Sequence, residues 1–92
     1  MIGSFRDKEA ERIFNRHHSR KFGTIERTIF RKLRILEAAS MLSDLMNPPD
    51  NRLEALKGDR EGQHSVRVND QWRICFEWRN GYAYEVEIVD YH

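Results

Sequence analysis

Three short stretches of this 92-residue chain hold residue types that could act on a charged substrate. The first is Arg67 and Arg73, which flank Asn69-Asp70-Gln71. If those three residues turn between antiparallel strands, Val68 pairs with Trp72, Val66 with Ile74, and Arg67 stands directly opposite Arg73. Like charges so placed repel, so something must compensate. Either Glu87, with help from Glu85, neutralises them, or the two guanidiniums converge on a phosphate, whose oxygens match the guanidinium fork. The residues alone leave these readings level. The second stretch, Leu56-Lys57-Gly58-Asp59-Arg60-Glu61-Gly62, packs two glycines and four charges into seven positions. By spacing it is a solvated surface turn; as a functional loop it would carry Lys57 to a substrate phosphate. No GxxxxGK[ST] or GxGxxG pattern occurs, so it is not a nucleotide-binding loop. The third is Asp90-Tyr91-His92. Chain ends usually fray, yet this one follows a predicted strand and brings a carboxylate, a phenol and an imidazole. Only His92 has an ordinary pKa near neutrality, roughly 6.5, as proton transfer wants.

The other reactive types read as structural. His17-His18 lies among Arg16, Arg20 and Lys21 in a solvated basic loop, and His64 has the parity of a half-buried strand residue. Cys75, the single cysteine, excludes an internal disulfide and a cysteine-rich zinc site and agrees with a reducing compartment. Four histidines form no metal motif, so no metal is expected. The opening Met1-Ile2-Gly3-Ser4-Phe5 has no signal-peptide core, and no apolar run approaches the roughly 20 residues of a membrane span, so a cytoplasmic location is expected.

Charge is polarised along the chain. Residues 1–36 hold ten Lys/Arg against four Asp/Glu, a balance of +6, and residues 37–92 hold six against eleven, a balance of −5. A basic half suits nucleic acid or an acidic protein without choosing between them.

The elements that must position these groups follow from hydrophobic period. At 92 residues there is room for one domain, 1–92, and one core. Ile2 and Phe5 suggest a short opening strand. Asp7 offers an N-cap for a helix through Phe14, with Ala10, Ile13 and Phe14 inward. Thr24 is expected to cap a longer helix with Glu26 in its first turn. Its apolar stripe is Ile25, Ile29, Leu33 and Leu36, and it runs to about Ala39. Arg27, Arg31 and Arg34 form a separate stripe, three guanidiniums lined up along a solvent face. Met41, Leu42, Leu45 and Met46 make another apolar turn, ended by Asn47-Pro48-Pro49. After residue 62 the period becomes alternating, giving three antiparallel strands with one buried face. At Arg79-Asn80-Gly81 the face pattern favours a three-residue loop, with Trp78 opposite Tyr82, Phe76 opposite Tyr84, Ile74 opposite Val86 and Arg73 opposite Glu87. The fold class is α+β: N-terminal helices on one face of a twisted antiparallel sheet.

Taken in order, residues 51–62 (NRLEALKGDREG), 65–76 (SVRVNDQWRICF) and 86–92 (VEIVDYH) resemble the HigB toxin family, the plasmid maintenance killer type within the RelE/ParE superfamily. The resemblance spans the chain. It implies a RelE-like sheet and a toxin of a type II toxin–antitoxin pair. Such toxins enter the ribosomal A site and cut translated mRNA by attack of the RNA 2′-hydroxyl on the adjacent phosphate, without metal or cofactor. It also implies a HigA-like helix-turn-helix antitoxin as partner, and operator DNA reached only through that antitoxin. Carried over residue by residue, it assigns Lys57 and Arg73 to the phosphate, His92 to proton transfer, Tyr91 to orienting the RNA, and Asp90 to orientation or proton transfer. Arg67, from the register above, and Arg60, from the charged loop, are added to the phosphate site. Beside this resemblance the Arg27/Arg31/Arg34 stripe is either a solvated face or a grip on ribosomal RNA. One position departs from the pattern: where family members carry a histidine three residues before the lysine, this chain has Glu54, which can act as a base but cannot supply positive charge. Two other functions stay open: a non-enzymatic ParE-like toxin that blocks DNA gyrase, and a weakly active homologue kept for HigA-linked autoregulation.

Overall fold

The computed structural model describes residues 1–90. Asp7 starts the first helix, α1 (Lys8–Phe14), as its side chain predicts: Oδ1 accepts from the Glu9 N–H at 2.9 Å. Its Oδ2 accepts from the Ile88 N–H at 3.2 Å and pins the helix start to the sheet. Ala10 and Ile13 are buried and Phe14 is half-buried. The second helix, α2 (Glu26–Ala38), begins differently from expectation. A 3₁₀ turn over Gly23–Ile25 leads into it, so Thr24 lies before the helix start and makes no side-chain cap. Ile29, Leu33 and Leu36 are fully buried on one stripe, and Arg27, Arg31 and Arg34 are all exposed. Lys32 shares the buried stripe, a placement the apolar pattern had not announced. Two 3₁₀ turns follow, Leu42–Met46 and Pro49–Asn51; Asp44 Oδ2 accepts from the Ser40 and Met41 N–H groups, both at 3.0 Å, and starts the first of them.

The sheet has four antiparallel strands in sequential order: β1 (Glu54–Ala55), β2 (Gln63–Arg67), β3 (Trp72–Arg79) and β4 (Tyr82–Asp90). β1 adds to the three strands read from alternation; with two exposed residues it carries no period to detect. Ile2 and Phe5 form isolated parallel bridges to Ala83 and Val86 rather than a strand. The helices cover one sheet face, where Val66, Ile74, Phe76, Ala83, Val86 and Ile88 meet α1 and α2.

The β2–β3 register is the expected one. Val66 pairs with Ile74 and Arg67 with Arg73, and Asn69 Oδ1 closes the turn by accepting from Gln71 and Trp72 N–H groups at 2.9 and 2.8 Å. The β3–β4 register is not. A two-residue Asn80-Gly81 turn, both residues at positive φ, pairs Arg79 with Tyr82, Trp78 with Ala83 and Glu77 with Tyr84. That register would have turned acidic residues onto the core face. A bulge between Cys75 and Glu77 prevents it: Glu85, left-handed at φ 55°, is the extra residue. Beyond it Cys75 pairs with Glu87, Ile74 with Ile88, Arg73 with Val89 and Trp72 with Asp90. Val86 and Ile88 thus return to the core. Glu87 faces Cys75, not Arg73.

Candidate active site

Strand alternation places Glu54, Ser65, Cys75 and Glu87 in one row across the sheet face turned away from the helices, with Arg67, Arg73 and Val89 in the next row. Ser65 and Cys75 are fully buried and form the floor. Burial pushes the Cys75 thiol above its ordinary pKa, against the nearby guanidinium of Arg60; Glu87, Arg73 and Glu54 also act on it. Four charged side chains therefore surround one small buried floor.

Arg73 is the most constrained of them. It is 6% exposed, although it points away from the main core. Its Nε donates to Ser65 Oγ at 2.7 Å, and its Nη2 donates to the Arg52 carbonyl at 2.7 Å and to the Ser65 carbonyl at 3.3 Å. Glu54 Oε2 lies 3.8 Å from the same Nη2. A guanidinium so held has little rotamer freedom left and presents a fixed positive charge beside a half-exposed carboxylate.

Neutralisation of the Arg67/Arg73 pair by Glu87, one of the two readings left level, does not occur. The two guanidiniums, opposite in register, take different partners: Arg67 Nη2 meets Asp70 Oδ1 at 2.5 Å in the turn, and holds that carboxyl below its ordinary range. Glu87 instead accepts from Arg60 Nη1 at 2.7 Å and has Arg6 Nε at 3.8 Å. Arg60 also donates to Gln63 Oε1 at 3.1 Å, and the Glu87 hydrogen bond raises its already high pKa. These residues, with Asp59, line a depression of about 360 Å³ beside the floor. Its rim continues into the exposed loop bearing Lys57, which directly follows Leu56, where the Leu56 N–H donates to the Gln63 carbonyl at 2.9 Å. Asp90 is exposed and pairs with Trp72, which puts it on the strand face opposite Arg73; its Oδ2 accepts from Gln71 Nε2 at 3.2 Å. Tyr91 and His92 lie outside the described residues. The structure thus gathers Glu54, Arg60 and Arg73 around Cys75, sets Arg67 in the row beside them, and leaves Arg27, Arg31 and Arg34 exposed on α2.

Sequence reasoning missed Ser65, the Arg52 carbonyl and Arg6. Ser65 was signalled by its parity with Arg67 and Arg73; no side-chain pattern marks a carbonyl. Among the described residues no three His, Cys, Asp or Glu side chains are grouped to hold a metal ion, and no helix is long and apolar enough to cross a membrane.

Residues 3–92 match the family model described as the RelE-like toxin of the type II toxin–antitoxin system HigB. The chain is 44% identical over 85 residues to "Toxin HigB-1" of Vibrio cholerae, covering 90% of each chain. It is 41% identical over 61 residues to "Endoribonuclease HigB" of Proteus vulgaris, covering 66% of this chain and 65% of that one. Among solved structures, the YoeB-YefM toxin–antitoxin heterotetramer from Staphylococcus aureus contains a chain that superposes with a TM-score of 0.58 at 15% identity, covering 100% of this chain and 98% of that one. YafQ from E. coli superposes with a TM-score of 0.55 at 12% identity, covering 98% and 93%. At such identities these two likenesses speak for the fold alone.

Proposed function

Because this chain belongs to the HigB-like family of RelE-like toxins from type II toxin–antitoxin systems, we propose that it is an endoribonuclease that cuts mRNA on the ribosome and thereby stops translation. The observation that carries the reading is Arg73: a buried guanidinium, fixed by Ser65 and the Arg52 carbonyl, beside the Glu54 carboxylate. A charge held in place before the reaction stabilises a phosphorane without reorganising at the moment it forms.

In the proposed reaction Glu54 takes the proton from an RNA 2′-hydroxyl, and the oxygen attacks the adjacent phosphorus. Arg73 and Lys57 hold the added negative charge of the five-coordinate phosphorane. The P–O5′ bond then breaks, and the leaving oxygen takes a proton from the His92 imidazolium. The products are a 2′,3′-cyclic phosphate and a 5′-hydroxyl, so no water, metal or cofactor enters the balance. Tyr91 orients the RNA by stacking or a hydrogen bond. Asp90, through Gln71, holds the strand end that leads to these residues. Arg60 and Arg67 meet neighbouring phosphates. Glu54 thus replaces the family histidine as base rather than as a positive group.

The exposed Arg27/Arg31/Arg34 face of α2 is assigned to ribosomal RNA near the A site. The antitoxin partner of this toxin is taken to be HigA-like, with operator DNA bound through it, and the pair to work in the cytoplasm. The test is primer-extension mapping of mRNA in a purified translation reaction, with the same RNA without ribosomes as control. Ribosome-dependent cuts bearing 5′-hydroxyl ends are expected. No cuts by a protein that still arrests growth would overturn the reading, and a DNA supercoiling assay would then test gyrase blockade.

A further inference from the structure

The loop that supplies the Arg52 carbonyl is anchored from the opposite side of the molecule by a buried charge. Lys32 on α2 is 2% exposed and lies on the stripe of Ile29, Leu33 and Leu36. Its Nζ donates to Asn51 Oδ1 at 2.5 Å and to Asp50 Oδ1 at 3.2 Å. Asn51 is fully buried, and its Nδ2 reaches the Leu45 and Asn47 carbonyls, both at 3.2 Å. The next residue, Arg52, is left-handed at φ 44°, a conformation that residues with a Cβ adopt only when their surroundings impose it. Its N–H donates to the Pro49 carbonyl at 3.1 Å, and its own carbonyl accepts from Arg73 Nη2.

An ammonium is costly to bury, and an apolar side chain of the same length would fill this stripe at less cost. The surroundings also oppose it: burial lowers the Lys32 pKa, Asp50 offsets this, and Arg31 and Arg67 add like charge. The charge is retained where it fixes Asn51. We infer that Lys32 is a positioning residue for the phosphate site: by gripping Asn51 it sets the left-handed turn at Arg52, whose carbonyl aims the Arg73 guanidinium. This rests on the reading of Arg73 as the residue that holds the scissile phosphate.

The test is a double-mutant cycle in the full-length toxin with Lys32→Met, Arg73→Ala and both together, read by single-turnover mRNA cleavage over a series of ribosome concentrations up to saturation. Methionine keeps the apolar stem and removes the donor. Lys32→Met is expected to slow cleavage about tenfold with KM within about twofold, and to slow the Arg73→Ala protein no further. Lys32→Gln keeps a donor and should recover part of the rate; it takes the place of the methionine variant in the cycle if that variant does not fold. A readout independent of activity is the Arg73 Nε–H resonance in ¹⁵N-labelled protein, which should move or broaden in the Lys32 variant. Losses that multiply in the cycle, or an unmoved Arg73 resonance, would overturn the positioning role alone. Wild-type cleavage by Arg73→Ala would overturn the underlying reading and the positioning role with it.

Discussion

Replacing Ser65 by alanine removes one atom from beneath Arg73, and the structure indicates what that should cost. Ser65 Oγ is the acceptor 2.7 Å from Nε, in a position without exposure to solvent. The Arg52 carbonyl and the Ser65 carbonyl survive the substitution, so the guanidinium is not released outright. What is lost is the Ser65 Oγ acceptor of the charged Nε–H. A hydrogen bond to a charged group contributes about 1.5–3 kcal/mol, so about 2 kcal/mol of stability should be lost. For a domain of this size that lowers Tm by roughly 8–16 °C. Cleavage should fall up to about tenfold, since the guanidinium gains freedom about its Cδ–Nε bond. Thermal unfolding by circular dichroism and single-turnover cleavage measure the two effects. On an Arg73→Met background the hydroxyl has no guanidinium to receive, and Ser65→Ala should then cost less than about 0.5 kcal/mol. A Tm within about 2 °C of wild type, or an equal cost on both backgrounds, would show that Ser65 does not hold Arg73.

Other expectations follow from the same geometry. Arg27→Glu with Arg31→Glu alters two exposed side chains, so stability should stay within about 0.5 kcal/mol while co-sedimentation with ribosomes weakens and loses its steep salt dependence; unchanged binding across a salt series would refute the assignment. Asp44 is held below its ordinary pKa of 3.8 by the Met41 and Ser40 N–H groups. Its folded pKa is depressed, so its contribution is present above about pH 4 and lost as pH falls through the folded value. Asp44→Ala should therefore flatten the acid limb of the stability–pH curve, which urea titrations between pH 2 and 6 would show. Cys75 is fully buried with its thiol pushed up by desolvation, so a thiol reagent at pH 8 should label it only on unfolding; rapid labelling of the folded protein would contradict the buried floor.

Much of this arrangement was legible in the residues, and the failures have identifiable causes. Counting back from Asn69-Asp70-Gln71 put Arg67 opposite Arg73, because Asn69 locks a turn of defined length and alternation does the rest. The same counting failed between β3 and β4. Parity tells which residues share a face but is blind to an inserted one, and Glu85 is such an insertion. The Asn80-Gly81 pair was the better guide, being the pair that a two-residue turn with positive φ wants. From that error followed the misplaced Glu87, which pairs with Arg60 and Arg6 rather than Arg73. Thr24 failed as a cap because a 3₁₀ turn carries the chain past it before α2 begins. Lys32 sits three residues after Ile29 and four before Leu36 on the buried stripe, but a charged side chain interrupts the apolar period by which such a stripe is recognised. The role of the Arg52 carbonyl had no sequence signal, since it depends on backbone geometry that a partner over 20 residues away exploits.

The most direct measurement is single-turnover mRNA cleavage on programmed ribosomes by the wild type and Arg73→Ala, with both proteins shown to be folded. If the fixed guanidinium stabilises the phosphorane, the variant should bind ribosomes normally and cleave about 10²–10³-fold more slowly. A variant that cuts at the wild-type rate would contradict the account, because the buried charge at the centre of the site would then have no part in the reaction.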